Sequence, residues 1–82
     1  MFLHLGNDVS IKLKDIISIY DYDIFEIASN KKYLENNKEC LIDMTGDGQK
    51  KKSLIVTRDV LYISAILPQT LKRRALLAID NG

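Results

Sequence analysis

The sequence predicts an α+β fold: a small antiparallel sheet, with elements in about the order β-β-β-α-β-β-β-α, a short middle helix and a C-terminal helix. Three observations predict it. Short runs rich in Ile, Val, Leu and Tyr recur between clusters of turn-forming residues. A polar middle segment has room for a short helix, and Pro68 opens a last segment whose apolar residues return at helical spacing. At 82 residues the chain is expected to form one domain, 1–82, with one modest core that self-association would help to stabilise.

The elements follow in order. Phe2, Leu3 and Leu5 form a short strand, and Gly6-Asn7-Asp8 makes a turn. Val9, Ile11 and Leu13 then alternate with Ser10, Lys12 and Lys14 as in a half-buried strand, so the two form a hairpin. The run Ile16-Ile17-Ser18-Ile19-Tyr20 is apolar on both faces, which predicts a central strand, and Asp21-Tyr22-Asp23 ends it. Ser29 is placed to cap a short helix through Tyr33 and Leu34 to about residue 37. Residues 40–44 make a fourth strand, 53–57 a fifth and 60–64 a sixth, the last two joined at Arg58-Asp59 as a second hairpin. In the terminal helix, Leu71, Ala75, Ala78 and Ile79 share the face expected to pack on the sheet. Leu76 and Leu77 point elsewhere, among Lys72, Arg73 and Arg74; they mark either a frayed helix end or a second apolar surface used against another subunit.

Composition excludes some classes. The chain is 46% apolar and 28% charged with both signs mixed, a globular balance rather than a disordered one. A net charge of +1 is small for a protein that coats nucleic acid, so such a role requires local clustering or repetition in an oligomer. Cys40 is the lone cysteine, which excludes an intrachain disulfide and fits a reducing cytoplasm; beside Leu41 and Ile42 it reads as a buried structural thiol. No secretory n-region or membrane-length apolar run occurs, so the expected location is cytoplasmic and the chain soluble.

The candidate chemistry centres on GDGQKKKSLIVTRD, residues 46–59. Asp43, Thr45, Asp47 and Gly48 imitate the first half of a calcium loop, but the twelfth position is Leu54, strands flank the segment and three lysines would repel the cation. The glycines also lack the spacing of a phosphate loop and do not lead into a helix. His4, the only histidine, lies in an apolar strand and reads as structural, while Asp21 and Asp23 read as a solvated turn. No set of residues supports catalysis, so no enzyme activity, cofactor, metal or small-molecule substrate is expected. Lys50, Lys51 and Lys52 on what reads as a hairpin loop, with Arg58 in the opposite turn and Lys72, Arg73 and Arg74 on the last helix, could donate to phosphates. Lysines near a strand also discourage edge pairing and keep a protein soluble.

Near-complete stretches of the chain, MFLHLGNDVSIKLKDIISIYDYD and KKSLIVTRDVLYISAILPQTLKRR, resemble the small bacterial extracellular matrix regulators, the Rem family. The resemblance is to the RemB branch in the Leu-His-x-Gly start at residues 3–6, the Lys-Ser-x-x-Val-Thr strand at 52–57, and the segment 64–71 that leads into the last helix. It implies a non-enzymatic regulator of biofilm matrix genes in Gram-positive bacteria. It also points to the related RemA branch, in which a DNA-binding factor assembles into rings and presents basic residues from a loop. That loop is arginine-rich after a glycine, whereas here Gly48-Gln49 is followed by three lysines, which serve phosphate as point charges without the fork that reads guanine. Two readings follow. One is an oligomeric DNA-binding transcriptional regulator gripping phosphates through Lys50, Lys51 and Lys52 with Arg58, Arg73 or Arg74. The other is an oligomerising protein-interaction module that touches no DNA, with Leu76 and Leu77 at the contact.

Overall fold

Phe2–Gly6 (β1) and Val9–Lys12 (β2) pair antiparallel as a separate two-stranded sheet in a computed structural model that describes residues 1–81. Their turn places Asn7 at φ 49° and Asp8 at φ 63°, the left-handed pair that matches the twist of a tight hairpin and that Asn and Asp tolerate best. Gly6 precedes them at φ 102°, where a side chain would be strained, and the register shifts between His4 and Gly6.

The second sheet holds Ile16–Asp21 (β3), Leu41–Asp43 (β4), Ser53–Thr57 (β5) and Leu61–Ser64 (β6) in the order β3-β5-β6-β4. Successive strand residues point to opposite faces, and the two cores follow from that. Ile55 of β5 joins Leu3, Leu5, Ile11, Met44 and Leu71 on one face, while its neighbour Leu54 joins Phe25, Leu34, Leu61 and Ile63 on the other. The hairpin and the helix Pro68–Asn81 (α2) cover the first face; the 3-10 turn Tyr22–Glu26 and the helix Ala28–Asn36 (α1) cover the second. The α+β class, the two hairpins and Pro68 at the start of the last helix therefore agree with the sequence reading.

Several details differ from it. β4 pairs with β6 in parallel, so the four-stranded sheet is mixed rather than antiparallel. The cause is the connection from β4, which skips past β6 to reach β5. β3 is an edge strand, not a central one. Its apolar character on both faces reflects the two covering layers, and Ile17, at the register shift between Ile16 and Ser18, is exposed. Ser29 does not cap α1: Ile27 holds the cap position without a side-chain bond, and Ser29 lies in the first turn. Cys40 is exposed, because it closes a 3-10 turn before β4 instead of entering the strand. His4 is exposed too, facing away from the core between buried Leu3 and Leu5. On α2, Leu71 is fully buried and Ala75 packs beside it, yet Ile79 is largely exposed. The helix there borders an open groove with Met1, Phe2 and Leu13 at the rim of the hairpin instead of the buried core.

Two fully buried serines join the layers. Ser64 Oγ donates to the carbonyl of Leu5 at 2.6 Å and accepts from the amide of Ile66 at 3.1 Å. Ser53 Oγ, on the residue that faces Ser64 across β5 and β6, donates to the carbonyl of Ile66 at 2.5 Å. Ser64→Ala removes both bonds of its hydroxyl and strands a main-chain carbonyl away from water, so it is expected to destabilise by about 1–3 kcal/mol. A lower urea midpoint at unchanged slope would report this. Leu71→Ala, which empties a site in the core between α2 and the sheet, is expected to cost about 2–5 kcal/mol in the same measurement.

Candidate nucleic-acid interface

The segment 44–52 is not a hairpin tip. It leaves β4, arches over the end of β6 and enters β5, because β4 and β6 run in parallel and β5 runs against both. Its first residue is fixed from two sides: the Met44 amide donates to the carbonyl of Ile63 at 2.9 Å, and Asn7 Nδ2 of the hairpin turn donates to the carbonyl of Met44. Its last residue is fixed as firmly. The Lys52 amide donates to the carbonyl of Ser64, and the Lys52 carbonyl accepts from the amide of Tyr22, each at 2.9 Å.

Between these anchors the loop orders itself. The Asp43 carboxylate accepts from the Thr45 amide at 2.9 Å and the Thr45 hydroxyl at 2.5 Å, the usual Asx turn at a strand end. Gln49 closes the next turn: its amide donates to the carbonyl of Gly46 at 3.1 Å and its Oε1 accepts from the Gly46 amide at 2.6 Å. Gly48 occupies the third position of that turn at φ 78°, which a type II turn requires and glycine supplies without strain. The residues that imitate a calcium loop thus spend Asp43 on a turn and on a lysine.

The three lysines are not equivalent. Lys51 Nζ lies 3.5 Å from Asp43 Oδ2 and 6.0 Å from the centre of the Tyr22 ring, the outer range of a cation–π contact. Partial burial pushes the Asp43 carboxyl up, but the Thr45 bonds and the Lys51 charge outweigh it and hold its pKa below the ordinary value. Lys52 is half-buried, its main chain held between β6 and Tyr22. Lys50 is exposed and, among the described residues, takes part in no ion pair.

The other candidate residues stand apart from this loop. Arg58 lies in the β5–β6 turn at the far end of the sheet, roughly 15–20 Å away for a strand of this length. There, with Lys14, Asp15, Asp59 and Tyr62, it lines a cavity of about 510 Å³. Arg73 and Arg74 are exposed on α2, which begins at the loop's end of the sheet. Leu76 and Leu77 are also exposed, and the helix continues past them to Asn81. Sequence reasoning missed the braces Asn7, Asp43 and Tyr22. Asn7 was visible only as a turn former, and Asp43-x-Thr45 is a recognisable Asx pattern that the calcium comparison obscured.

No helix of the described residues is long and apolar enough to cross a membrane. The model of the family described as RemA-like, extracellular matrix regulatory protein A-like, matches residues 2–75. The extracellular matrix regulatory protein B of Bacillus subtilis (strain 168) is 29% identical over 83 residues, a match that covers 99% of this chain and 100% of that protein. With nearly its whole length matched and its ordered basic loop inside the match, the chain belongs to the RemA-like family of extracellular matrix regulatory proteins.

Proposed function

We propose that this chain is a non-enzymatic transcriptional regulator of matrix genes that works in the cytoplasm as a homo-oligomer, in ring form, and binds the DNA backbone through the loop 44–52. The observation that carries the reading is the anchoring of that loop at Met44 and Lys52, which leaves Lys50 exposed on a fixed support. A pre-ordered loop loses little entropy on meeting a phosphate. Lys50 and Lys51 are the primary phosphate donors, Lys52 adds charge from beneath, and Arg73, Arg74 and Arg58 belong to secondary contacts. Because the net charge is only +1, one subunit holds DNA weakly, and repetition of the loop around an oligomer supplies the affinity. Lysines position a duplex without reading its bases, so selectivity rests on backbone and shape.

A second reading draws on the exposure of Leu76 and Leu77. In it the chain is an oligomerising interaction module that joins another regulator and touches no DNA, with these two residues at the contact.

Replacing Lys50, Lys51 and Lys52 together with glutamate is expected to abolish retention of a duplex of a few tens of base pairs at low salt while the oligomer persists. Co-elution by size exclusion with light scattering checks both; DNA still retained would remove the loop from the mechanism. Asp43→Asn deletes the carboxylate that competes for Lys51, so DNA release is expected to move to higher salt. Release at the same or lower salt would mean that Lys51 does not reach phosphate.

A further inference from the structure

The cavity beside the β5–β6 turn is built by two turns that the sheet register brings side by side. Ile16, the first residue of β3, pairs with Thr57, the last of β5. The 3-10 turn Leu13–Asp15 that leads into β3 therefore lies next to the turn at Arg58 and Asp59. Each turn is fixed by its own bonds. The Ile16 amide donates to the carbonyl of Leu13. Thr57 closes the other turn: its amide and hydroxyl donate to the carbonyl of Val60 at 3.0 and 2.7 Å, and its Oγ1 accepts from the Val60 amide at 3.1 Å.

Together the turns place four charges around one cavity of about 510 Å³, a size within the roughly 300–1,000 Å³ of small-molecule sites. Lys14 and Asp15 come from one turn, Arg58 and Asp59 from the other. All four are exposed, and among the described residues none stands in an ion pair, although two of each sign line the same space. Most of the remaining lining is apolar, with Ile11, Ile17, Val60 and the half-buried Tyr62. Ile17 is 68% exposed at the register shift between Ile16 and Ser18, the kind of irregularity that re-aims a side chain beside a site.

The balance of charge selects the ligand. An anion is drawn by Lys14 and Arg58 but repelled by Asp15 and Asp59, and a cation meets the reverse. A wholly apolar molecule strips water from all four and returns nothing. A small molecule that carries one positive and one negative group beside an apolar portion meets every one of these residues. We infer that the cavity is an effector site for a free amino acid with an apolar side chain. Lys14 and Arg58 take its carboxylate, Asp15 and Asp59 its ammonium, and Ile17, Val60 and Tyr62 its side chain. Charge-assisted hydrogen bonds are the strong ones, and a guanidinium such as that of Arg58 can grip a carboxylate with two of them. The site lies at the far end of the sheet from the loop 44–52, so the ligand and DNA do not compete for one surface. The inference goes beyond the reading above and does not rest on it.

Isothermal titration of the full chain without DNA, with L-leucine and L-phenylalanine as probes, tests this. Both are expected to bind, and each should raise the thermal midpoint as its concentration rises. Glycine keeps both charges without a side chain, N-acetyl-L-leucine has lost the ammonium, and L-leucinamide has lost the carboxylate. Each of these three is expected to bind about tenfold or more weakly than L-leucine. R58Q and D59N on one turn and K14M on the other, all at exposed positions, should each weaken L-leucine about tenfold with the circular dichroism of the fold unchanged. Neither heat nor a rise in midpoint with either amino acid would overturn the proposal. N-acetyl-L-leucine or L-leucinamide binding as well as L-leucine would also overturn it, since the site would then read a single charge. Folded variants that bind L-leucine as the unmodified protein does would remove the cavity from the binding.

Discussion

The hydroxyl of Ser64 is the point at which the layers of this molecule are tied. β6 sits between β4 and β5, and its last residue faces the hairpin, the loop 44–52 and the start of α2 at once. A large apolar side chain there would hold none of them by direction. The hydroxyl instead bonds the carbonyl of Leu5 and the amide of Ile66, while the Ser64 carbonyl accepts from Lys52. Ser53 completes the set through the carbonyl of Ile66. Buried polar groups are costly when unmet and directional when met. Here every hydroxyl is met, and the outcome is a fixed relation between the first strand, the basic loop and the last helix.

That relation explains how a loop with two glycines keeps a shape. Its ends are held by main-chain bonds to β6, its middle by Asp43, Thr45 and Gln49, and its flank by Asn7. The same arrangement moderates its charge. Asp43 lies close enough to Lys51 to favour its own ionised form, so part of the positive field is spent inside the loop. Lys50, among the described residues, takes part in no ion pair. Three consecutive lysines in a sequence therefore do not amount to three equal donors.

How much of this was legible depends on whether the information is local. The strand Ser53–Thr57 was readable because Ser53, Leu54 and three β-branched residues run together between charged Lys52 and Arg58, and the start of α2 because Pro68 has only one good place in a helix. The direction of β4 was not, since direction is decided by the path of the connection and not by the residues of the strand. The misplacing of Cys40 has the same origin: apolar neighbours in sequence say nothing about which side of a turn a residue takes. In the candidate site, Lys50 to Lys52 could be named from composition. Their separation from Arg58 could not, because β5 places the two ends of a continuous stretch at opposite ends of the sheet.

Ile79 was expected in the core on sound periodicity, and its exposure carries more meaning than a failed wheel. A helix buries a residue only as far as there is something packed against it, and at Ile79 α2 borders an open groove rather than the core. Among the described residues, twelve large apolar side chains are exposed against eleven buried, so the fold leaves about as many large apolar groups at its surface as it takes inside. Scattered, such residues would mean little. Met1, Phe2 and Ile79 are not scattered: they line one groove beside Lys12 and Lys14, where the end of α2 meets the hairpin.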